Sequence, residues 1–500
     1  MKRILLLFLA SVMLVGCLAA CGTAKGNETQ TTRKANNDEN VPLPVADYSG
    51  RTYTVLYRDI PEYRAEWVAE GEETGQVIGS AVYSRNAAVE DRYGVYLDFE
   101  TGRAPAQAVA GDFENNFQAK IDKTVAVGDD VYQLAAGYTY RLATVSTQGN
   151  FLNWYAMPNM DLNADWWSTD FFTYATYKGC CYIGAGPLSL THMKASACIY
   201  FNVSQLDEYI PDGTAKVFQQ VRDGTWTIDR LMEYAKECTP EVVGSEEQKY
   251  GVSCDQNQCT DAFIYAFEMK ITSYDAEGTP KLKAINQSNP LVDVYDKLKA
   301  FIESDSYYSV KTDLKNTDPD LYSDGMVGLF KAGRTVFAAG ILDRASGIRT
   351  GYPDIEYGIL PYPKWNEDQD RYYTYKTDSH TSFAIPKSVK DKEFVGTITE
   401  AMAYYSNKYV KDALYNVVLK YRDATDAESS HCVDLILDGG RYDFSNIYAG
   451  AWGDQQSPAH LLRQCLKNEH KPSIVSAYKA EKSRYEAVLT DLLAHFVTEN

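Results

Sequence analysis

The chain has 500 residues, 45% of them hydrophobic and 23% charged, with 49 Lys and Arg against 68 Asp and Glu. Its net charge of −19 argues against partners that are held through basic patches, namely nucleic acid and anionic lipid surfaces. A chain of this length and apolar content can bury a large core and is expected to divide into at least two lobes.

Lys2 and Arg3 open the chain, and Ile4 to Val15 is apolar except for Ser11. Leu18-Ala19-Ala20-Cys21 follows. A basic start, a short apolar run and small residues are the parts of a secretory signal. The run is too short for a membrane span, which needs about 20 apolar residues. Leu-Ala-Ala-Cys resembles the lipobox of bacterial lipoproteins, which implies cleavage after residue 20 and acylation of Cys21 by a palmitate-type chain. Cys17, preceded by Leu14-Val15-Gly16, is a weaker match. Losing Lys2 and Arg3 with residues 1–20 leaves 47 basic against 68 acidic residues, a balance of −21.

Residues 21–46 are polar, contain Pro42 and Pro44, and are expected to be a flexible tether. Thr52 to Tyr57 has the β-branched and aromatic content of a buried strand. Ser80 to Tyr93 carries Val82, Asn86, Val89 and Tyr93 at helical spacing and stops at Gly94. A strand is expected over 95–100, a helix over 117–127 and a strand over 131–136. Alternating units of this size predict a mostly parallel sheet covered by helices. Ligands of such sheets sit beyond the carboxyl ends of strands, which directs attention to the loops after Tyr57 and Ala136. Farther on, Thr227 precedes a helix with Ile228, Leu231, Met232 and Ala235 on one face, closed by Thr239-Pro240. Another helix is expected from Glu393 through Tyr409, with Val395, Ile398, Met402 and Tyr405 on a face.

No zinc helix, phosphate loop or nucleophile elbow occurs in the sequence. Gly184-Ala185-Gly186-Pro187 reads as a turn, and the six histidines are not paired at ligand-like intervals. Asp318, Asp320 and Asp324-Gly325 fall short of a calcium loop. No metal or cofactor is expected. Eight cysteines remain besides Cys17 and Cys21; Cys254 and Cys259 could bridge in an oxidising exterior or remain buried thiols. The 39 tyrosines, with 18 Phe and 7 Trp, suit half-wet surfaces such as those that receive sugars. A glycoside hydrolase needs only two carboxylates about 5–10 Å apart, so that reading stays open as the rival from another class.

Six stretches in order carry a family resemblance. They are Arg92-Tyr93-Gly94-Val95-Tyr96-Leu97, Ala197-Cys198-Ile199-Tyr200-Phe201-Asn202, Thr225-Trp226-Thr227-Ile228-Asp229-Arg230-Leu231, Phe330 to Phe337, Gly358-Ile359-Leu360-Pro361-Tyr362-Pro363, and Ser382 to Ser388. Together they resemble the extracellular solute-binding lipoproteins that serve carbohydrate ABC importers. Phe201 separates the usual tyrosine-asparagine pair, and Phe337 stands where methionine is common. The resemblance implies an α/β, two-lobed periplasmic-binding-protein-like fold, with two mostly parallel sheets flanked by helices and joined by hinge crossovers. Lobe 1 is assigned to 47–197 plus 358–408, and lobe 2 to 198–357 plus 409–500.

It also implies a monomeric, non-enzymatic receptor, lipid-anchored on the outer face of the cell membrane, that binds a sugar or oligosaccharide in the interlobe cleft. Membrane permease subunits would be its partners, and the N-terminal lipid its only membrane contact. A peptide, polyol or sugar-acid cargo, or service to a sensor, fits the same fold. Candidate ligand residues come from loops at strand ends and from loop aromatics: Tyr57, Arg58, Asp59, Tyr138, Tyr140, Trp166, Trp167, Arg344, Trp365 and Trp452. Among them the Trp166–Trp167 pair is favoured.

Overall fold

The alternation of strand and helix builds two larger sheets and two short strand pairs in the computed structural model, which describes residues 35–36, 40–58, 61–69, 77–101, 112–240, 248–255, 257–310, 328–424, 426–453, 456–467 and 473–497. In chain order the strands are β1 (Thr52–Tyr57), β2 (Tyr96–Thr101), β3 (Leu134–Tyr138), β4 (Ala197–Asn202), β5 (Tyr250–Asp255), β6 (Thr272–Tyr274) and β7 (Pro280–Leu282). They continue with β8 (Tyr307–Val310), β9 (Thr335–Ile341), β10 (Tyr357–Leu360), β11 (Thr374–Tyr375), β12 (Thr381–Ala384) and β13 (Gly440–Arg441).

The first sheet has the order β12-β3-β1-β2. β1 lies parallel to β2, from Thr52 opposite Tyr96 to Tyr57 opposite Thr101, and parallel to β3 on its other side. β12 returns antiparallel to β3 with Thr381 opposite Tyr138. β1 is covered on both faces, which is why all its residues after Thr52 are buried and its sequence is an apolar-aromatic run. One cover is the helix Lys392–Tyr405, where the Thr399 hydroxyl meets that of Tyr53 at 2.7 Å. The helix Val77–Tyr93 stops where expected, at Gly94 with φ +62°, a left-handed turn that glycine adopts without a Cβ penalty.

The second sheet has the order β10-β4-β9-β5-β8, with β5 parallel to β8 and β9 and β4 antiparallel to β9 and β10. It is therefore more mixed than the first. Its tryptophan-led helix, Ile228–Glu237, leaves Trp226 buried with the indole donating to the Pro361 carbonyl at 3.0 Å. Thr227 flanks this helix, but its side chain makes no capping bond.

Several expected boundaries move. The third strand starts at Leu134 and not at Val131, because Val131 stays 42% exposed and the Gln133 amide is held by Asp130. The helix expected to end at Tyr409 is α-helical to Tyr405 and continues with π-helical turns over Ser406–Lys411 and Ala413–Asp423, where no glycine or proline stops it. That continuation packs on Val77–Tyr93, and Val410, Leu414 and Val418 share a core cluster with Ala81 and Val82 of that helix and with Cys198 and Tyr200 of β4. Residues 358–360 likewise belong to the second sheet, since β10 pairs with β4; the return to the first sheet falls within 361–380. At the far end, Phe496 packs on Tyr177, Tyr182 and Tyr448, while the helix Ile474–Ala494 packs on Pro290–Ile302.

The Gly184-Ala185-Gly186 turn is a close approach between chain segments. Gly184 bridges to Phe383, and a Cβ on it would lie 2.7 Å from the Trp154 ring. Cys254 and Cys259 are buried, unbridged thiols. Among the described residues no helix is long and apolar enough to cross a membrane, and no group of three His, Cys, Asp or Glu is placed to hold a metal. The signal, Cys21, most of the tether and the acidic stretch 318–325 lie outside the described residues.

Candidate functional site

The carboxyl ends of β1 and β3 form one edge of the site. Arg58, the residue after β1, is 7% exposed, and its guanidinium lies 4.3 Å from the Tyr63 ring centre and 4.8 Å from that of Tyr138. A planar cation between two aromatic rings is held in one orientation by the ring quadrupoles. Tyr138 ends β3, and its ring lies 5.9 Å from Tyr140. This edge is fastened to the second crossing segment. The Tyr63 hydroxyl donates to the Ser379 carbonyl at 3.2 Å, and the Thr139 hydroxyl donates to the His380 carbonyl at 2.8 Å.

A second edge comes from the end of β5. The Asp255 carboxylate accepts the Asn257 and Cys259 amides at 2.7 and 3.1 Å, capping the helix Gln258–Ala266. One turn apart on that helix stand Asp261 and Tyr265. Asp261 Oδ2 accepts from Arg463 Nη1 at 2.7 Å, and both side chains are buried. Burial pushes the Asp261 carboxyl up to about 7, against the pull of Arg463. Tyr265 stacks on Tyr375 of β11 at 4.7 Å. Asp261 Oδ1, the Tyr265 hydroxyl and Arg463 Nε are buried with no hydrogen-bond partner in the protein. Such atoms are where a ligand hydroxyl or an ordered water is needed.

The two edges meet at residues 375–381. The Ser379 and His380 carbonyls are bonded to Tyr63 and Thr139. Asp261, Tyr265 and Tyr375 are raised by burial first, and the Asp378 charge reaches all three and raises them further. The arrangement offers donors and flat rings from one sheet and a carboxylate with an open lone pair from the other. Together these suit a ligand with polar rims and C–H faces.

Of the residues chosen from sequence, Arg58, Tyr138 and Tyr140 lie together on the first edge, with the Tyr140 hydroxyl donating to the Gly453 carbonyl at 3.2 Å. Tyr57 is inside the sheet, opposite Ala136 and Thr101, and Asp59 lies outside the described residues. The favoured tryptophan pair is placed elsewhere. Trp166 and Trp167 Nε1 each donate to Glu400 at 2.8 Å, beside a shallow hollow lined by Pro42, Pro44 and Met160. Pro44 accepts from Tyr93, just ahead of β2, so this cluster sits by the strand starts and away from the strand ends. Trp452 is buried, with its indole bonded to the Tyr485 carbonyl at 3.1 Å. Trp365 packs on Phe267 under the Lys297 ammonium, and Arg344 is exposed at the start of the helix Arg344–Gly351.

Tyr63, Asp261, Tyr265, Tyr375, Asp378 and Arg463 were not found from sequence. The signal that locates Asp261 and Tyr265 is the strand Gly251-Val252-Ser253-Cys254, to which the strand-end rule also applies. A separate apolar cavity of about 320 Å³, lined by Phe267, Met269, Ile271, Leu282, Ile285 and Leu291 among others, contains no residue of either edge.

No family model matches the chain, and no curated protein does. Solved structures do match. A cyclo/maltodextrin-binding protein complexed with maltotetraose aligns at 14% identity and TM-score 0.54, covering 88% of this chain and 97% of its own. An ABC substrate-binding protein from Listeria monocytogenes in complex with cycloalternan aligns at 12% identity and TM-score 0.53, covering 88% and 99%. The GacH receptor of Streptomyces glaucescens, solved unliganded and with acarbose, aligns at 13% identity and TM-score 0.52, covering 88% and 99%. At these identities the likeness establishes the fold: the two-lobed periplasmic-binding-protein-like architecture.

Proposed function

We propose that the protein is the substrate-binding component of an ABC importer, holding a sugar or oligosaccharide between the two strand-end edges for delivery to a membrane permease. The observation that carries this reading is that residues 375–381 join two strand ends, one carrying Arg58 held on Tyr63 and Tyr138, the other carrying Asp261 and Tyr265 with their unpartnered oxygens. Support comes from the fold, shared with proteins solved with maltotetraose, cycloalternan and acarbose. In this reading Arg58, Tyr138 and Tyr140 act from lobe 1, and Asp261, Tyr265 and Arg463 from lobe 2. Residues 361–380 carry the return crossing. Binding closes the lobes by population shift, since only the closed form touches ligand from both sides. Cys21 anchors the chain by lipid outside the cell, the receptor is monomeric, and the cargo leaves unaltered.

Calorimetry and thermal shift with maltotetraose, cycloalternan and acarbose test the reading. At 100-fold excess over Kd a cargo adds about 2.7 kcal/mol, or about 3 °C for a chain of this length. No shift with any of the three, or release of reducing ends that Asp261→Asn abolishes, would overturn it in favour of another cargo or of hydrolysis.

A further inference from the structure

Three chain segments meet between the sheets, and each places an ionisable ring at the meeting point. His192 is on the first, in the short helix Leu190–Lys194; His380 is on the second, just ahead of β12; Tyr442 follows β13 in the tail. His192 Nε2 lies 2.7 Å from the Tyr442 hydroxyl, and the two rings are parallel within 5°. The His192 and His380 rings stand 4.8 Å apart at 67°. His380 Nδ1 is 2.6 Å from the Thr377 carbonyl and so carries its proton there. The other nitrogens, His192 Nδ1 and His380 Nε2, are buried with no hydrogen-bond partner in the protein.

The cation bearing on both imidazoles is Lys376, while carboxylates stand beside the neighbouring groups. The Lys376 ammonium bears on both imidazoles, and its Nζ is 3.5 Å from the His192 carbonyl. Lys411, on the π-helical run, bears on Lys376 in turn. Asp170 and Tyr415 bear on Tyr442. Glu66 accepts from Ser189, Thr191 and Thr381, the neighbours of the two histidines, and Arg85 bears on Glu66. Glu66 is thus held by four donors and is not bonded to either imidazole.

We propose that this junction is an acid-operated hinge: the buried contact of three segments beside Lys376 refuses a second cation, so His192 and His380 take a proton from solvent only as the segments part, and acid thereby favours the parted form that releases the cargo. The inference rests on the receptor reading for what is released, and on the junction alone for the opening. The directions of titration support it. Burial holds His380 down to about 4 and His192 well below the ordinary histidine value. Each ring therefore stays neutral in the closed junction below the ordinary value, with His380 protonating only near about 4. The stability each contributes is full above about pH 6.5 and is lost as pH falls toward its folded value, about tenfold per pH unit per ring. Glu66 works in the opposite sense, because burial raises its carboxyl and acid favours its folded form.

The test is amide hydrogen exchange across 189–202 and 376–384 in the full, ligand-free protein between about pH 7 and about pH 5, corrected for intrinsic rates. The Kd for maltotetraose is measured over the same range. Protection and affinity should each fall about tenfold or more per pH unit below about pH 6.5. His192→Gln and His380→Asn place amides near Nε2 and Nδ1 and cannot take the proton, so the double variant should lose the fall toward acid and keep only the opposite slope of Glu66. A flat wild type, or a fall toward acid that survives in the double variant, overturns the hinge. Should the double variant fail to fold, imidazole NMR of the wild type decides: rings that titrate near about 6.5 in the closed protein overturn it, and rings neutral until protection is lost uphold it. Loss of protection without any maltotetraose binding upholds the hinge and counts against the sugar reading alone.

Discussion

Removing the guanidinium of Arg463 leaves a carboxylate stranded in the interior. Arg463→Met keeps much of the apolar packing, but Asp261, 1% exposed, loses its 2.7 Å ion pair and retains the charges of Asp378 and Asp255 nearby. Breaking one side of a buried pair costs about 3–5 kcal/mol, because the remaining ion has neither water nor counter-charge. That full cost applies only where Asp261 is ionised. Its carboxyl is raised from 3.8 to about 7, so its stabilising, neutral form is complete below about 4 and is lost as pH rises through about 7. Without Arg463 the carboxyl rises further, and the deficit of the variant widens above neutrality. At about pH 5 Asp261 is neutral in both proteins, leaving the missing hydrogen bond, about 1–1.5 kcal/mol. Unfolding entropy of about 2.1 cal/mol/K per residue converts these costs to about 4 °C at pH ~8 and about 1 °C at pH ~5. Scanning calorimetry at the two pH values measures both. Equal losses at both, or no loss at the higher pH, would refute the assignment of Asp261 as a buried ion dependent on Arg463.

Lys376→Met should stabilise the protein at neutral pH by about 3 kcal/mol, since burial lowers this lysine from 10.5 to about 8; the gain should vanish above about pH 11, where the unfolded lysine is neutral too, as calorimetry across that range would record. Gly184→Ala puts a Cβ 2.7 Å from Trp154 and should cost about 1–3 kcal/mol in denaturant titration, with a Gly184→Ala/Trp154→Phe pair recovering part of it. Trp166→Phe removes one of two indole donors to Glu400 and should lower stability by about 1 kcal/mol while leaving maltotetraose affinity within about twofold; a larger affinity loss would return this residue to the site. Arg58→Lys keeps the charge but not the planar stack between Tyr63 and Tyr138, and should weaken maltotetraose binding about tenfold by calorimetry with little change in melting temperature.

The parts of the fold legible in the sequence are those fixed by local chemistry. β1 falls on Thr52–Tyr57 because strand propensity and burial agree there, and Val77–Tyr93 stops at Gly94 because the backbone turns left-handed. Arg58, Tyr138 and Tyr140 are reached by one rule, that ligands sit at the ends of parallel strands, applied to strands that were recognised. The same rule at the end of β5 points to Asp261 and Tyr265. Boundaries failed where a distant segment decides: Tyr357–Leu360 belongs to the second sheet only because β4 is there to pair with it.

The tryptophans sit away from those strand ends for a more general reason. An aromatic side chain with a polar handle satisfies a ligand or a buried acid equally well, and adjacent Trp166 and Trp167 carry no mark of which one they face. Glu400 decides it, and Glu400 lies more than 230 residues away, on a helix whose own pattern shows only an apolar face. Conversely, Asp378 and His380 sit in a polar stretch that reads as an ordinary loop. They acquire meaning only when Tyr63, Thr139 and Tyr265 close around the same short stretch of chain. What a binding cleft needs, polar atoms desolvated and then left without a protein partner, is a property of tertiary contact. The sequence can place strand ends; it cannot say which side chains the opposite lobe will bury against them.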